Sequence, residues 1–278
     1  MKKILITGAN SYIGMSFDSY MKQWPEQYQV DTVDMIAGSW RQMSFAGYDA
    51  VYHVAGIAHQ KETEENAHLY YKVNRDLAVE TARKAKEDGV RQFVFLSTMA
   101  VYGLEEGVIG EDTPLAPKTH YGKAKMEAEM QMENLRAEAF CLTVLRPPMV
   151  YGEGCKGNYQ ALVKFADRMP VFPDYKNERS MIHIDRLSWY VKELIDHGTD
   201  GLILPQDEAY VCTCQMVRDI AKSKGKNMKL WKVLNPAVWM LKHFTTAGKK
   251  AFGNLVYKKE MSAFPASQMM EDIGFAEE

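Results

Sequence analysis

The 278-residue sequence lacks most features of a secreted, membrane-spanning or metal-binding protein. Its four cysteines are scattered, and Cys212 and Cys214 have no second pair or nearby histidine to complete a zinc site, so free thiols and no metal are predicted. No apolar run reaches the roughly 20 residues that a membrane span needs. The short apolar run after Lys2 and Lys3 has no signal-peptide cleavage site. A cytoplasmic protein with no membrane span is therefore expected.

The sequence also lacks an excess of either charge. Its 34 basic residues nearly balance 36 acidic residues, and the formal net charge is -2. A basic surface that would bind nucleic acid is thus not predicted. With 46% hydrophobic and 25% charged residues, the chain has the composition of a folded globular protein, and its ligand is expected to be a small molecule.

Short β-branched runs alternate with longer amphipathic stretches through the first half of the chain. This alternation predicts an α/β fold with a Rossmann-type, doubly wound parallel sheet. Residues 1–150 are predicted to form this nucleotide-binding domain, to which residues 180–197 return. Residues 151–179 and 198–278 are predicted to form a small α/β substrate-binding region, because prolines and glycines interrupt the chain after Arg146. The predicted strands are 3–6, 29–33, 50–54, 92–96, 142–145 and 181–185, and the predicted helices are 12–22, 67–88, 121–138, 186–196 and 213–224.

A phosphate-binding turn is predicted where the first strand meets the first helix. Gly8 can make the tight turn and Gly14 allows the helix and strand to approach, while Ser11 occupies the middle position that is usually glycine. The N–H groups and dipole at the helix start favour a pyrophosphate there. Asp34, at the end of the second strand, is placed to bind the adenosine ribose and to repel a 2′-phosphate, which favours NAD over NADP. An ordinary glycine-containing turn and a surface aspartate are the alternatives.

A tyrosine and a lysine four residues apart indicate the reactive groups. On a helix this spacing places Tyr121 and Lys125 on one face, where the ammonium favours the phenolate needed for proton transfer. Ser97 and Thr98 follow the predicted strand 92–96, at the edge where ligands bind in open α/β sheets. Because neighbouring strand residues point in opposite directions, only one of these two hydroxyls is expected to face the site.

Together these segments resemble extended short-chain dehydrogenases/reductases of the NAD-dependent epimerase/dehydratase family. The resemblance rests on ILITGANSYIG, DAVYHVAGIAH, YYKVNRDLA, FVFLSTMAVYG, THYGKAK, VLRPPMVYGEG and RSMIHID, which run in family order over residues 1–190. It implies that Thr98, Tyr121 and Lys125 form the catalytic set. The cofactor contacts that it implies are Gly8, Ser11, Tyr12, Ile13, Gly14, Asp34, Val54, Ala55, Gly56, Asn74, Ser97, Lys125 and Pro148.

Within the family, RPPMVYGEGCKGNY, VFP and RSMIHID are most similar to the branch that handles UDP-sugars in bacterial surface polysaccharide synthesis. The resemblance implies a homodimer, and substrate contacts from Met99, Asn158, Phe172 and Arg179, with Asn158 and Arg179 holding the uridine diphosphate. It predicts a reaction at C4 of the sugar, in either an NAD-dependent epimerase or a 4-keto-sugar-nucleotide reductase using NAD(P)H. A dehydratase is disfavoured, because Met99 and Ala100 stand where its acidic pair would follow the strand hydroxyl.

Two further hypotheses stay open. A non-catalytic dinucleotide-binding redox sensor could keep the same fold, although it would not need the tyrosine and the lysine. Residues 230–252 combine Trp231, Trp239 and Phe244 with several lysines and could form an interfacial membrane helix. Such a stripe more often packs on its own protein or on a partner subunit.

Overall fold

The computed structural model describes residues 1–58 and 60–261, so the last part of the predicted small region, 262–278, lies outside the described residues. The strands are β1 (Lys2–Thr7), β2 (Tyr28–Val33), β3 (Ala50–His53), β4 (Gln92–Leu96), β5 (Gly107–Ile109), β6 (Cys141–Leu145), β7 (Met149–Tyr151), β8 (Val171–Pro173), β9 (Met181–His183), β10 (Gly201–Ile203), β11 (Lys229–Trp231) and β12 (Leu255–Tyr257). The helices are α1 (Tyr12–Met21), α2 (Ala67–Tyr70), α3 (Ala78–Glu87), α4 (His120–Glu133), α5 (Asn158–Arg168), α6 (Ile184–Asp196), α7 (Thr213–Ser223), α8 (Asn235–Phe244) and α9 (Thr246–Phe252).

A six-stranded parallel sheet forms the centre of the large domain, in the order β10-β6-β4-β3-β1-β2. Strands β3 and β4 are buried along their whole length, which explains why their sequences are nearly continuous apolar runs. Helices α1 and α6 pack together over one face of the sheet, and α3 and α4 cover the other face. The predicted α/β fold, with helices on both faces of a parallel sheet, is confirmed.

The strand order reverses at β1, which lies between β2 and β3. The segment 34–49 that joins β2 to β3 contains only a short 3₁₀ turn, Ser39–Arg41, and adds no strand outside β2. The chain therefore crosses directly from one side of β1 to the other. Because ligands of open α/β sheets bind at such a reversal, beyond the carboxyl ends of the strands, the candidate site is expected next to Thr7 and His53.

The small region has its own apolar core between α5, α7, α8 and α9 and the two-stranded sheet of β8 and β11. Two assignments at its boundary need correction. Strand β10 pairs in parallel with β6 at the edge of the main sheet, although the sequence analysis placed residues 198–278 in the small region. The predicted strand 181–185 stops at His183, because the His183 ring accepts the backbone N–H of Asp185 and caps α6.

Three predicted helices begin, end or run differently in the structure. Residues 230–252 do not form one helix, because Thr245 leaves α8 in extended backbone and its hydroxyl caps α9. The predicted helix 213–224 ends one residue early, at Ser223; it begins at Thr213, whose backbone N–H is accepted by Asn177 at 2.9 Å. The predicted helix 121–138 ends at Glu133, ahead of a tight turn that leads into β6. Within residues 1–58 and 60–261, no helix is both long enough and apolar enough to cross a bilayer.

Candidate active site

The turn between β1 and α1 is a tight cradle that depends on its glycines. Gly8 adopts a φ of 114°, and a Cβ there would lie 2.9 Å from the backbone nitrogen of Ala55. A Cβ on Gly14 would lie 2.6 Å from Oγ of Ser11. That Oγ accepts the N–H of Gly14 at 3.1 Å, so Ser11 caps α1. Serine thus fits the middle position of the turn, and the start of α1 keeps the N–H groups and dipole that suit a pyrophosphate.

A groove of about 1100 Å³ opens beside this turn and reaches the loop after β7. Tyr12 lies at its centre and donates its hydroxyl to the carbonyl of Glu153 at 2.8 Å. Burial raises the pKa of Tyr12 to about 12, so the hydroxyl stays protonated at neutral pH. Val54 and Ala55 are buried where β3 approaches the turn, and Ile13 packs against the core. The groove is lined by Asn10, Ser11, Tyr12, Glu153, Lys156, His183 and Asp185, among others.

Asp34 lies directly beside the phosphate-binding turn. The preceding residue, Val33, accepts the backbone N–H groups of Gly8 and Ala9 at 2.9 and 3.1 Å. The Asp34 side chain is exposed, and it accepts the N–H of Ile36 at 2.7 Å. Arg41, the first basic residue after Asp34, is engaged elsewhere, because its Nη2 donates to Glu80 at 2.6 Å. The group presented next to the turn is therefore a carboxylate, which suits ribose hydroxyls better than a 2′-phosphate.

Thr98, Tyr121 and Lys125 converge at the carboxyl edge of the sheet. Thr98 follows β4 in extended backbone, and its hydroxyl accepts the N–H of Ala100 at 3.2 Å. Burial raises the pKa of Tyr121, and the nearby Thr98 side chain lowers it by less. Lys125, one turn later on α4, is 3% exposed and donates to the carbonyl of Leu96 at 2.7 Å. Burial lowers the pKa of Lys125 to about 7, which places its proton in the neutral range.

Asn74 connects the π-helical turn between α2 and α3 with the chain that follows β3 at this site. It lies fully buried in a π-helical turn, Tyr71–Leu77, and its side chain exchanges two hydrogen bonds of 3.0 Å with the backbone of Ile57. A Cβ on Gly56 would lie 2.6 Å from Oδ1 of Asn74 and 3.7 Å from Nζ of Lys125. Gly56 therefore allows the chain after β3 to approach both side chains. Single π-helical turns inside α-helices are common at functional sites.

The first turn of α4, which carries Tyr121, is capped by two side chains. The hydroxyl of Thr119 accepts the N–H of Gly122 at 3.0 Å. The carboxylate of Glu62 accepts the N–H groups of His120 and Tyr121 at 2.7 and 3.1 Å. Together they satisfy donors that a helix start otherwise leaves free. Sequence analysis missed Glu62, because it reaches α4 from a distant loop without a motif of its own.

A buried ion pair lies behind Lys125. Arg146 donates to Glu129 at 2.5 Å, and both side chains are at least nine-tenths buried. Arg146 also donates to the hydroxyl of Tyr102 at 2.8 Å, and Ser97 donates its hydroxyl to Glu129. The hydroxyl proton of Ser97 is thus directed to the buried ion pair, and the predicted cofactor contact of Ser97 stays a prediction. Sequence analysis missed this pair, although Glu129 follows Lys125 at the four-residue spacing of one helix face.

Comparison with known proteins agrees with this geometry. Residues 4–186 match the NAD dependent epimerase/dehydratase family. The chain belongs to this family. It is therefore an enzyme of the extended short-chain dehydrogenase/reductase class, as its motifs predicted.

Three similar proteins illustrate the breadth of the family. The chain is 27% identical to the UDP-glucose 4-epimerase of Vibrio cholerae, over 100% of this chain and 89% of that protein. It is 27% identical to the N-acetyl-alpha-D-glucosaminyl-diphospho-ditrans,octacis-undecaprenol 4-epimerase of Escherichia coli O157:H7, over 81% of this chain and 73% of that protein. The crystal structure of a dTDP-4-dehydrorhamnose reductase from Clostridium acetobutylicum has a TM-score of 0.71 at 19% identity, covering 93% of this chain and 91% of that one. This last likeness shows the shared fold.

In this epimerase/dehydratase-family chain, the residues predicted to contact the substrate are placed unequally. Met99 directly follows Thr98, and its N–H donates to the carbonyl of Pro147 at 3.0 Å, just before the buried Pro148. Asn158 is exposed at the first residue of α5. Met99 thus lies at the end of the sheet that carries Thr98, and the predicted substrate contacts of Met99 and Asn158 stay predictions.

Two other predicted substrate contacts are more deeply embedded. Arg179 donates to the carbonyl of Gly253 at 3.0 Å, and burial lowers its pKa. Phe172 is buried in the core of the small region, with ring centroids 6.0 Å from Phe165 and 5.9 Å from Phe252. The Phe172 ring therefore packs inside the small region, and its predicted substrate contact stays a prediction.

Proposed function

We propose that the chain is an NAD-dependent 4-epimerase of a UDP-sugar. The observation that carries the proposal is the convergence of Tyr121, Thr98 and the buried Lys125 at the strand reversal beside a glycine cradle. A dinucleotide and a sugar hydroxyl can meet at such an edge. The full-length similarity to the Vibrio cholerae epimerase supports this reaction and this substrate class.

In this mechanism Tyr121 is the acid/base. Its phenolate would take the proton of the C4 hydroxyl as the sugar is oxidised, and the phenol formed in this way would return a proton as the other C4 epimer forms. Thr98 orients the same oxygen through its hydroxyl, and the Lys125 ammonium favours the phenolate. The chemistry that NAD supplies when bound is reversible hydride transfer. The cradle of Gly8 and Gly14 at the start of α1 fits a pyrophosphate, with Asp34 on the ribose and Lys125 on the nicotinamide side.

The substrate would be held by its diphosphate. Arg179 supplies a cation for this group, and Asn158 supplies an amide at the start of α5. Met99 and Ala100 carry no group that transfers a proton, so the elimination step of a dehydratase has no support near Thr98.

The deciding experiment incubates the purified protein with NAD and UDP-glucose, UDP-galactose or their N-acetylated forms. We expect the two C4 epimers to interconvert, followed by proton NMR, without net change in nicotinamide absorbance. Stoichiometric consumption of NADH with a 4-keto nucleotide sugar would identify the reductase instead. Binding of NAD with no turnover on either class of substrate would favour the redox sensor.

A second candidate substrate carries the same kind of sugar on a lipid diphosphate and not on a nucleotide. A nucleotide sugar and a lipid-linked sugar present the same diphosphate, and the similar Escherichia coli protein is named for an undecaprenyl-linked substrate. The same NMR assay with N-acetylglucosamine on a short-chain polyprenyl diphosphate distinguishes the two carriers. Turnover of this compound but not of UDP-sugars would identify the lipid-linked substrate.

Replacement of Asp34 by serine tests the preference for NAD. Loss of the carboxylate should weaken NAD binding by about 10- to 100-fold, the effect of losing one or two hydrogen bonds to a charged group. NADP binding should weaken less or improve, because the repulsion of the 2′-phosphate is removed. Calorimetric titration with both dinucleotides measures the change, with Glu26→Ser as a control acid before β2. An unchanged ratio of the two affinities would contradict the assignment of Asp34.

A further inference from the structure

The charge of the chain is strongly one-sided near its described C-terminal end. Between residues 220 and 259 the sequence contains ten lysines and neither aspartate nor glutamate, in a protein whose net charge is -2. Lys224 and Lys226 pair with Asp167, and Lys242 pairs with Glu106. The lysines that flank α8 have no ion pair within residues 1–58 and 60–261; they are Lys232, Lys249 and Lys250.

Helix α8 leaves most of its large apolar side chains exposed. Its inward side holds the buried Val238, together with Asn235, which donates to the carbonyl of Asp174 at 3.0 Å, and the ion-paired Lys242. Its outward side is mostly apolar, with Trp239 59%, Met240 56% and Phe244 74% exposed, and His243 stacks on the Trp239 ring there. A helix on the surface of a globular protein usually turns its polar side to water. An exposed apolar face of this kind indicates a site at which a membrane or another molecule binds.

The apolar area extends along the chain before α8. Trp231 and Val233 are exposed there, and Leu241 is exposed on the helix itself. We call the combined area the α8 surface. It consists of Trp231, Val233, Trp239, Met240, Leu241 and Phe244, flanked by Lys232, Lys249 and Lys250.

We propose that the α8 surface docks the enzyme on an anionic phospholipid bilayer. Exposed tryptophan and phenylalanine next to lysine is the composition of interfacial helices, whose apolar side chains enter the acyl boundary while the ammonium groups meet anionic headgroups. Tryptophan is also enriched at the headgroup level of membranes. The helix is far too short to span the bilayer and would lie along it.

The unpaired lysines also distinguish two possible partners of the α8 surface, a second copy of the chain and an anionic bilayer. A second copy of the chain on a two-fold axis would bring the same face, and hence the same unpaired lysines, against itself. Like charges across such an interface disfavour association. An anionic surface instead complements Lys232, Lys249 and Lys250, and a bilayer accepts the apolar side chains between them.

The α8 surface is connected to the candidate substrate site. The carbonyl of Gly253, directly after α9, accepts the guanidinium of Arg179, the residue proposed to hold the diphosphate. Docking would therefore bind to the lipid surface the part of the chain whose next residue after α9 holds the Arg179 guanidinium. The role of Arg179 rests on the proposed function, whereas docking itself does not.

Sedimentation of the whole protein with vesicles tests the proposal. We expect it to pellet with phosphatidylcholine vesicles that contain phosphatidylglycerol, and not with pure phosphatidylcholine. Changing Lys232, Lys249 and Lys250 to glutamine should lower the partition coefficient roughly 100-fold, since each basic residue near an anionic surface contributes about fivefold. Changing Trp239 and Phe244 to glutamate should lower it about tenfold or more, because their burial in the membrane is lost.

Matched variants separate this surface from general effects of charge and hydrophobicity. Lys22, Lys61 and Lys72 changed to glutamine remove the same charge elsewhere, and Met130→Glu removes an exposed apolar side chain from α4. Both controls should pellet like the original protein. Absence of pelleting with anionic vesicles, or equal losses in controls and α8 variants, would overturn the proposal.

Two further readouts complete the test. Light scattering that shows a dimer dissociated by Trp239→Glu and Phe244→Glu would overturn the proposal, because a second copy would then cover the α8 surface. Turnover of a water-soluble UDP-sugar should be unchanged in the α8 variants. The two proposals can therefore fail separately. Normal turnover without docking would contradict the docking proposal, and normal docking without turnover would contradict the proposed function.

Discussion

Replacing Tyr121 with phenylalanine is expected to lower turnover by about 10²- to 10⁴-fold, the usual contribution of a positioned acid/base. The substitution removes one oxygen and keeps the ring on the first turn of α4, which Thr119 and Glu62 cap. The fold and the phosphate-binding turn should therefore be unaffected. Turnover of the UDP-sugar and the affinity for NAD, measured on the same preparation, should separate, with turnover lost and binding kept.

Tyr28 provides the matched control. It lies at the first residue of β2, at the opposite end of the strand from Asp34, and its hydroxyl donates to Asp196 at 2.6 Å. Tyr28→Phe removes the same atom and should leave turnover unchanged. If Tyr121→Phe keeps normal turnover, Tyr121 is not the acid/base, and the proton must pass through another group at the site.

The main sheet could be predicted because burial on both faces leaves a clear mark in the sequence. Strands β3 and β4 are apolar on both sides, and their predicted bounds agree with the structure to within one residue. Strand β10 has only three residues, of which Leu202 is exposed. It joins the sheet through its parallel pairing with Thr143–Leu145 on β6, a long-range contact that periodicity does not encode.

The candidate site was predictable where the chemistry is local. The spacing of Tyr121 and Lys125 places them on one helix face, and Thr98 is fixed by the end of β4. Glu62 and Arg146 reach the site from other parts of the chain, so only the folded structure reveals their contacts. The side chains that support the site were therefore missed, whereas the groups proposed to react are marked by local patterns in the sequence.

The apolar stripe in residues 230–252 shows a related limit. Periodicity shows that a helix has two unlike faces, but it does not tell which face meets the protein. The favoured expectation was packing on the protein itself or on a partner subunit. Within the described residues, α8 holds Val238 inside and leaves Trp239 and Phe244 exposed in the single chain, so packing on a partner subunit stays an untested prediction.

Replacing Arg146 with methionine is expected to lower the free energy of unfolding by about 3–5 kcal/mol, the usual cost of leaving one member of a buried ion pair without its partner. Among the residues that the structure describes, Glu129 would keep only the hydroxyl of Ser97 as a donor, and Tyr102 would lose the bond from the guanidinium. Urea unfolding of the two proteins measures the difference, which should appear in the midpoint and not in the slope.

The double variant Glu129→Leu, Arg146→Met distinguishes an uncompensated charge from lost packing. It removes both charges, so it should recover most of the stability that Arg146→Met loses. If the double variant is as unstable as the single variant, the ion pair is not the origin of the effect. If the double variant recovers its stability but not its turnover, Glu129 also has a role in turnover. Glu129 raises the pKa of Lys125, opposing the larger lowering by burial, so its loss should leave less of the ammonium that Tyr121 is proposed to need.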